Sequence, residues 1–470
     1  MKPLSYPWKA LLTVALGVAM TTLDASIITI AFPELTRVFH ADLTTIMWIT
    51  VAYILVSSSL MLLFGKLSDF VGRKKIYTVG FGIFTLAMVA CSLAQSVEQL
   101  IVFRVIQGVG AAMAIGCSTA IVTEAFPGNR MGKGLGLLGV AVSAGFIIGP
   151  VAGGFLLEYL DWRAIFYTRI PLSFLAFILA IILLKKDTIQ LGKIKLDLLG
   201  AVTSFAGLFC FLFGMGQIKA YGLKSAMVIT LTGTGLLMLC LLPLIERRAK
   251  NPIIDFGLFK NRDFTYAMAG FFLFFMTMPV YIVLIPFYLM DAIKLSAADA
   301  GLLLSVIPVT TMIACPISGA LSDRFGPRWP STLGAGAVAV AFFCMFRFNL
   351  QTEIWMIVLV LTLLGIGSGV FQPPNNSTIM NAVDTKYHGS ASAMLATNRQ
   401  VAMSIGLTLT GLIFSTRQIA YYNLFRQEGV DANIAFNQAI PAAFGEMVLL
   451  SFFLTLIVLG FSLLSPKKGS

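Results

Sequence analysis

The chain is divided into runs of about 20 mostly apolar residues, and that length decides what it can fold into. A bilayer's hydrocarbon core is about 30 Å thick, and a helix rising about 1.5 Å per residue crosses it in about 20 residues. Scanning at that length gives fourteen expected spans: 9–31, 47–65, 76–93, 100–123, 134–157, 164–184, 198–216, 225–245, 264–288, 300–320, 331–347, 353–378, 390–415 and 442–464. They are too long for the strands of an outer-membrane barrel and lack their two-residue alternation. The expected fold class is an all-α integral membrane protein with fourteen transmembrane helices. Composition agrees, since 58% hydrophobic and 11% charged residues in 470 exceed what a soluble core can hide. The first run follows Lys2 and Lys9 but is too long for a signal sequence, carries Asp24 and lacks a small-residue cleavage site, so it is expected to stay in the membrane.

The net charge of +12 does not point to nucleic acid, because the basic residues lie scattered in short loops. With the amino terminus inside, 22 of the 33 lysines and arginines fall on the cytoplasmic side and 8 outside, while Arg104, Arg169 and Arg399 fall within spans. Both termini are therefore expected in the cytoplasm, with the protein in a plasma membrane, the inner membrane if the cell is bacterial. The six cysteines lie in apolar runs without paired or metal-type spacing and read as reduced packing residues. His40 and His388 complete no metal or catalytic constellation. No phosphate-cradling Gly-x-x-x-x-Gly-Lys-Ser/Thr loop is present, so neither nucleotide nor cofactor is expected.

An internal duplication is legible. Gly65-Lys66-Leu67-Ser68-Asp69-Phe70-Val71-Gly72, followed by Arg73, Lys74 and Lys75, recurs 254 positions later as Gly319 to Gly326, with Asp323 matching Asp69. Gly108-Val109-Gly110 matches Gly365-Ile366-Gly367 at an offset of 257. These repeats predict two six-helix bundles, 1–185 and 263–470, separated by 186–262, a basic linker region holding two extra helices. In the repeated turn, Gly65 is expected to end a helix tightly, and Asp69 to accept hydrogen bonds from a facing helix start. Topology alone explains the lysines but not an acid that recurs. Gly65, Asp69, Gly72, Arg73 and Asp323 are accordingly read as a conformational latch between halves.

Four segments resemble the major facilitator superfamily, in its fourteen-span drug:proton antiporter branch. They are the 65–75 turn, Leu23-Asp24-Ala25-Ser26-Ile27-Ile28-Thr29-Ile30-Ala31-Phe32-Pro33, Arg104-Val105-Ile106-Gln107-Gly108-Val109-Gly110, and Gly145-Phe146-Ile147-Ile148-Gly149-Pro150-Val151-Ala152-Gly153-Gly154. The resemblance implies alternating access and proton-coupled export of small amphipathic compounds or drugs, with no enzymatic activity. One departure stands out. Where the family usually places asparagine in the segment opening the sixth span, this chain has Trp162-Arg163-Ala164-Ile165-Phe166-Tyr167-Thr168-Arg169, and the added charge of Arg169, a further candidate cavity residue, weighs against a cationic cargo.

Asp24 is the sharpest candidate, because an ionisable group in a span must face protein or a water-filled cavity. It lies roughly 10 Å below the outer end of its span, Arg104 roughly 7 Å below the end of the fourth, and Gln107 one turn deeper, so the three can meet. They are read either as a proton-coupling set or as a static buried pair fixing helix register. Gly145, Gly149, Gly153 and Gly154 leave a stripe without side chains and Pro150 invites a bend, which suits a gate between halves or ordinary close packing. Arg399 and Asn398 sit near mid-membrane beside Gln400. Together with Asn375 and Asn376, next to Pro373 and Pro374 at an expected helix break, they line a candidate cavity or serve backbone carbonyls. Tyr53, Met276, Met278 and Tyr281 read as packing first. The expected partners are a small molecule, protons and membrane lipid, in a monomer. The alternatives are a facilitator or proton-coupled transporter of a defined metabolite or organic anion, and, from another class, a membrane-embedded enzyme or sensor.

Overall fold

A computed structural model describes residues 5–126, 131–185, 198–222, 224–248, 256–383 and 388–464, and no strand occurs among them. The chain opens with α1 (Tyr6–Ile30), α2 (Phe32–Val38), α3 (Leu43–Val71), α4 (Arg73–Ser92), α5 (Val97–Ala125), α6 (Met131–Tyr159), α7 (Ala164–Tyr167) and α8 (Ile170–Leu183). The middle holds α9 (Leu198–Gly216), α10 (Ile218–Tyr221) and α11 (Ala226–Arg248). Then come α12 (Arg262–Phe287), which runs into a π-helical turn Tyr288–Ala292, and α13 (Ala297–Phe325), α14 (Arg328–Met345), α15 (Ile354–Asn381), α16 (His388–Gln427) and α17 (Ala432–Leu464). Residues up to 41 with 48–211 and 231–253 form one compact unit, and 42–47 with 212–230 and 254 onward form a second.

Among the described residues, 11 helices are long and apolar enough to cross a membrane, against the fourteen expected. The other three expected spans coincide with α9, α14 and α16. Each is helical but fails on a specific ground. The apolar described part of α9 is only Val202–Gly216, α14 opens on the polar stretch Arg328-Trp329-Pro330-Ser331-Thr332, and α16 spreads Asn398, Arg399, Gln400 and Arg417 along its 40 residues.

Two boundaries differ from the sequence reading. Gly65 does not end a helix: α3 runs through it to Val71, and a Cβ there would meet the Gly116 carbonyl of α5 at 3.1 Å. The turn is the single residue Gly72, whose φ of 107° a side chain would make strained. The break expected at Pro373 and Pro374 is also absent, as α15 continues to Asn381. Pro374 cannot donate to the carbonyl of Val370, and Ser318 Oγ donates to it instead at 2.7 Å.

The duplication is visible in backbone geometry, unit by unit. Gly72 corresponds to Gly326 (φ 85°), and His40 (φ 49°) to Lys294 (φ 66°), each pair 254 positions apart. In the first unit a Cβ on Gly110 would lie 2.7 Å from the Gly80 carbonyl and 2.6 Å from the Phe84 nitrogen. In the second, a Cβ on Gly367 would lie 3.0 Å from the Gly334 carbonyl and 2.9 Å from the Val338 nitrogen. Gly108 likewise abuts the Tyr53 carbonyl and Gly365 that of Ile307. Lipid tails are as apolar as the helices, so close backbone approach between small residues supplies much of the packing that holds such pairs together.

Candidate functional site

The polar centre of the first unit is built by α1, α5 and the α7–α8 junction. Asp24 sits on α1, and Arg104 and Gln107 are one turn apart on α5, so both point from one face of that helix. All three are fully buried. Arg104 Nη1 donates to Asp24 Oδ2 at 2.5 Å and to Gln107 Oε1 at 2.7 Å, while Gln107 Nε2 donates to Asp24 Oδ1 at 3.2 Å. Arg104 Nε donates to the Ile49 carbonyl of α3 at 3.1 Å, and its guanidinium lies 4.2 Å from the centroid of the Tyr53 ring. Tyr53 thus faces the centre through its ring, a role that its sequence position did not reveal.

Arg169 completes the cluster. Helix α7 stops at Tyr167 and α8 starts at Ile170, ahead of Pro171 in its first turn, which leaves Arg169 at the junction. Expected as a cavity residue, it is 5% exposed and donates from Nη1 to Asp24 Oδ1 at 2.8 Å. Its Nε donates to the Ile165 carbonyl at 2.5 Å. One carboxylate is therefore shared by two guanidinium groups, and the Nη2 atoms of both Arg104 and Arg169 are buried without a hydrogen-bond partner.

The glycine stripe of α6 fixes where α1 lies. Side chains on Gly145 and Gly149 would run into Thr22 and Ser26 of α1, and one on Gly153 would come within 2.7 Å of Ile30 Cγ2. Ser26 Oγ donates to the Gly145 carbonyl at 3.1 Å. The close contact expected between halves is thus a contact inside the first unit, two residues beyond Asp24. Pro150 lies within the uninterrupted α6, and Gly154 is buried beside Gly153.

Of the expected latch, Arg73 donates to Glu124 Oε2 at 3.0 Å and to the Ala120 carbonyl at 3.3 Å, both on α5. Lys74 Nζ reaches the Ile181 and Leu184 carbonyls at the end of α8, each at 2.6 Å, where a cation complements the helix dipole. The side chains of Asp69 and Asp323 lie outside the described residues.

In the second unit, buried Asn375 donates to the Ala267 carbonyl at 3.1 Å and half-buried Asn398 to the Met268 carbonyl at 2.9 Å, so both side chains are tied to α12. Asn376 Oδ1 is buried without a partner. Arg399 is exposed, with its guanidinium 5.9 Å from the centroid of Phe275, itself packed on Phe271 and Phe274. Among the described residues no carboxylate pairs with it, and no group of His, Cys, Asp or Glu could hold a metal ion.

The family model described as Major Facilitator Superfamily matches residues 14–407, from the helix bearing Asp24 to the one bearing Arg399. The chain belongs to this superfamily. It is 33% identical over 452 residues to the riboflavin transporter RibZ of Clostridioides difficile (strain 630), covering 95% of this chain and 97% of that one. It is 26% identical to the multidrug transporter protein MdtP of Bacillus subtilis (strain 168), covering 87% and 76%. A solved bacterial homologue of the human lysosomal transporter Spinster, inward-facing and unoccupied, shares the fold with a TM-score of 0.73 at 15% identity, covering 99% of this chain and 97% of that one. The protein is a multi-pass superfamily transporter, and its relatives are transporters rather than enzymes.

Proposed function

We propose that the protein is a proton-coupled secondary transporter that exports small amphipathic compounds by alternating access, with Asp24 as the proton carrier. The observation that carries this reading is the enclosure of Asp24 by Arg104, Gln107 and Arg169. Protonating the carboxylate removes its charge and weakens both ion pairs, so a proton there changes what two buried arginines can bind. On this reading the bundles 1–185 and 263–470 are the working halves, the repeated turns bearing Asp69 and Asp323 latch them, and 186–262 is an insertion. Arg399, Asn398 and Asn376 then meet the cargo. The chain works as a monomer in a plasma membrane with both termini cytoplasmic, and it needs no cofactor. Each proton moved down 100 mV contributes about 2.3 kcal/mol, against about 1.4 kcal/mol per decade of cargo gradient.

Everted vesicles containing the protein test this. Adding cargo should release protons from the vesicle lumen, and an uncoupler should stop cargo accumulation. Accumulation that survives the uncoupler while proton release is absent rejects antiport. A second reading, transport of a defined metabolite, is favoured by the near full-length similarity to a riboflavin transporter. Uptake of radiolabelled riboflavin measured beside a panel of cationic dyes separates the two cargo classes.

A further inference from the structure

The buried centre of the first unit does not balance its charge. Asp24 contributes one negative charge, and Arg104 and Arg169 one positive charge each, inside a region where all three are at most 5% exposed. Arginine cannot shed its proton at any working pH, so the surplus positive charge is permanent. Each guanidinium spends Nη1 on Asp24 and Nε on a backbone carbonyl, and each leaves Nη2 buried with hydrogen-bonding capacity unspent. The remaining titratable or polar neighbours do not supply the missing charge. Tyr53 from α3 and Cys91 from α4 are neutral at ordinary pH, Gln107 from α5 is already engaged, and α6 presents glycines to α1. Proton loading of Asp24 makes the imbalance worse, from one uncompensated positive charge to two. A low-dielectric interior does not hold two such charges without a counter-ion.

We propose that Arg104 and Arg169 form a binding site for an anionic group, occupied most strongly when Asp24 is protonated. The group is either a small inorganic anion or an anionic substituent of the cargo, and the two free Nη2 donors are the atoms that meet it. Binding itself requires nothing of the antiport reading: an inorganic anion bound with the proton is compatible with it, whereas an anionic cargo bound with the proton would move in the proton's direction and replace antiport by symport. The anion and the ionised Asp24 carboxylate compete for the same two arginines, so anion affinity rises as pH falls.

Thermal unfolding of the purified full-length protein in chloride and in gluconate, at equal ionic strength and several pH values, tests the inorganic arm. Chloride should raise the midpoint in a saturable way, more at pH 5.5 than at pH 7.5. Arg169→Gln should weaken the apparent affinity at least about tenfold, and the exposed control Arg426→Gln should not. Asp24→Asn supplies the second variant: it should tighten anion binding and abolish its pH dependence. For the cargo arm, flavin fluorescence compares riboflavin with its 5′-phosphate, a pair differing only in an anionic group. Phosphate-dependent tightening of about tenfold or more, lost in Arg169→Gln, assigns the site to cargo. The proposal is overturned by the absence of both preferences. It is equally overturned by preferences that persist unchanged in Arg169→Gln and Asp24→Asn. Anion binding in a protein that shows no cargo-driven proton flux would leave the site standing and reject antiport.

Discussion

In the first unit α5 crosses α4 through Gly110 and Gly80, and in the second α15 crosses α14 through Gly367 and Gly334. The backbones match, yet Arg104 and Gln107 occupy the positions, 257 earlier, that Leu361 and Leu364 hold in the second copy. All four are fully buried. Glycine contacts are thus the part of the design that both copies must keep, because a Cβ at the crossing collides with backbone. The residues between the glycines are free to carry chemistry or to be filled with leucine. The same contrast holds for cations: Arg104 is sealed against a carboxylate, whereas Arg399 of the second unit stands exposed over an aromatic ring.

The largest expected effect separates the sealed centre from its leucine counterpart. Asp24→Asn leaves two buried arginines with no carboxylate and should cost about 3–5 kcal/mol; it should also abolish gradient-driven transport. Asp24→Asn with Arg169→Asn restores the original surplus charge, and should recover part of the unfolding midpoint but none of the proton coupling. If the double variant is no more stable than the single one, charge balance is not what governs this centre. Gly110→Ala and Gly367→Ala sharpen the shared part: each should destabilise by about 1–3 kcal/mol through overpacking, and by similar amounts. A loss confined to one unit in hydrogen-exchange measurements would show that the copies no longer rely on the same crossing. Gln107→Leu converts the first copy toward the second, and should cost about 1–3 kcal/mol by stranding Asp24 and Arg104 donors and acceptors. Gly319→Ala, where a Cβ meets nothing within 4 Å, should be neutral or stabilising by up to about 1 kcal/mol. Arg399→Gln should likewise move the unfolding midpoint little, since the guanidinium is exposed and no carboxylate among the described residues pairs with it. Any transport defect in Arg399→Gln therefore reports cargo rather than folding.

Much of this architecture was legible because membrane-spanning length is a coarse, strong signal. Depth arithmetic along α1 and α5 was also enough to bring Asp24, Arg104 and Gln107 together. Arg169 was not assignable in that way, because its direction is set by the break between α7 and α8 rather than by helical period. The α6 glycines could be read as a close-packing stripe, but the sequence does not say which helix fills it, and the occupant is α1. Pro373 and Pro374 suggested a broken helix because the rescue of the Val370 carbonyl comes from Ser318, more than fifty residues earlier. Gly65 and Gly72 were indistinguishable as turn formers until backbone angles showed that only Gly72 takes a positive φ, while Gly65 is helical and sits where α5 approaches closely.

That single-residue turn bears on how the protein is made. With only Gly72 between Val71 and Arg73, the end of α3 and the start of α4 must lie at the same membrane face. Gly326 and Pro327 tie the end of α13 to the start of α14 in the same way. Insertion in pairs is the expected consequence at both points, so a lengthened linker at Gly72 should be felt first as a lower fraction of membrane-integrated chain, before any effect on transport.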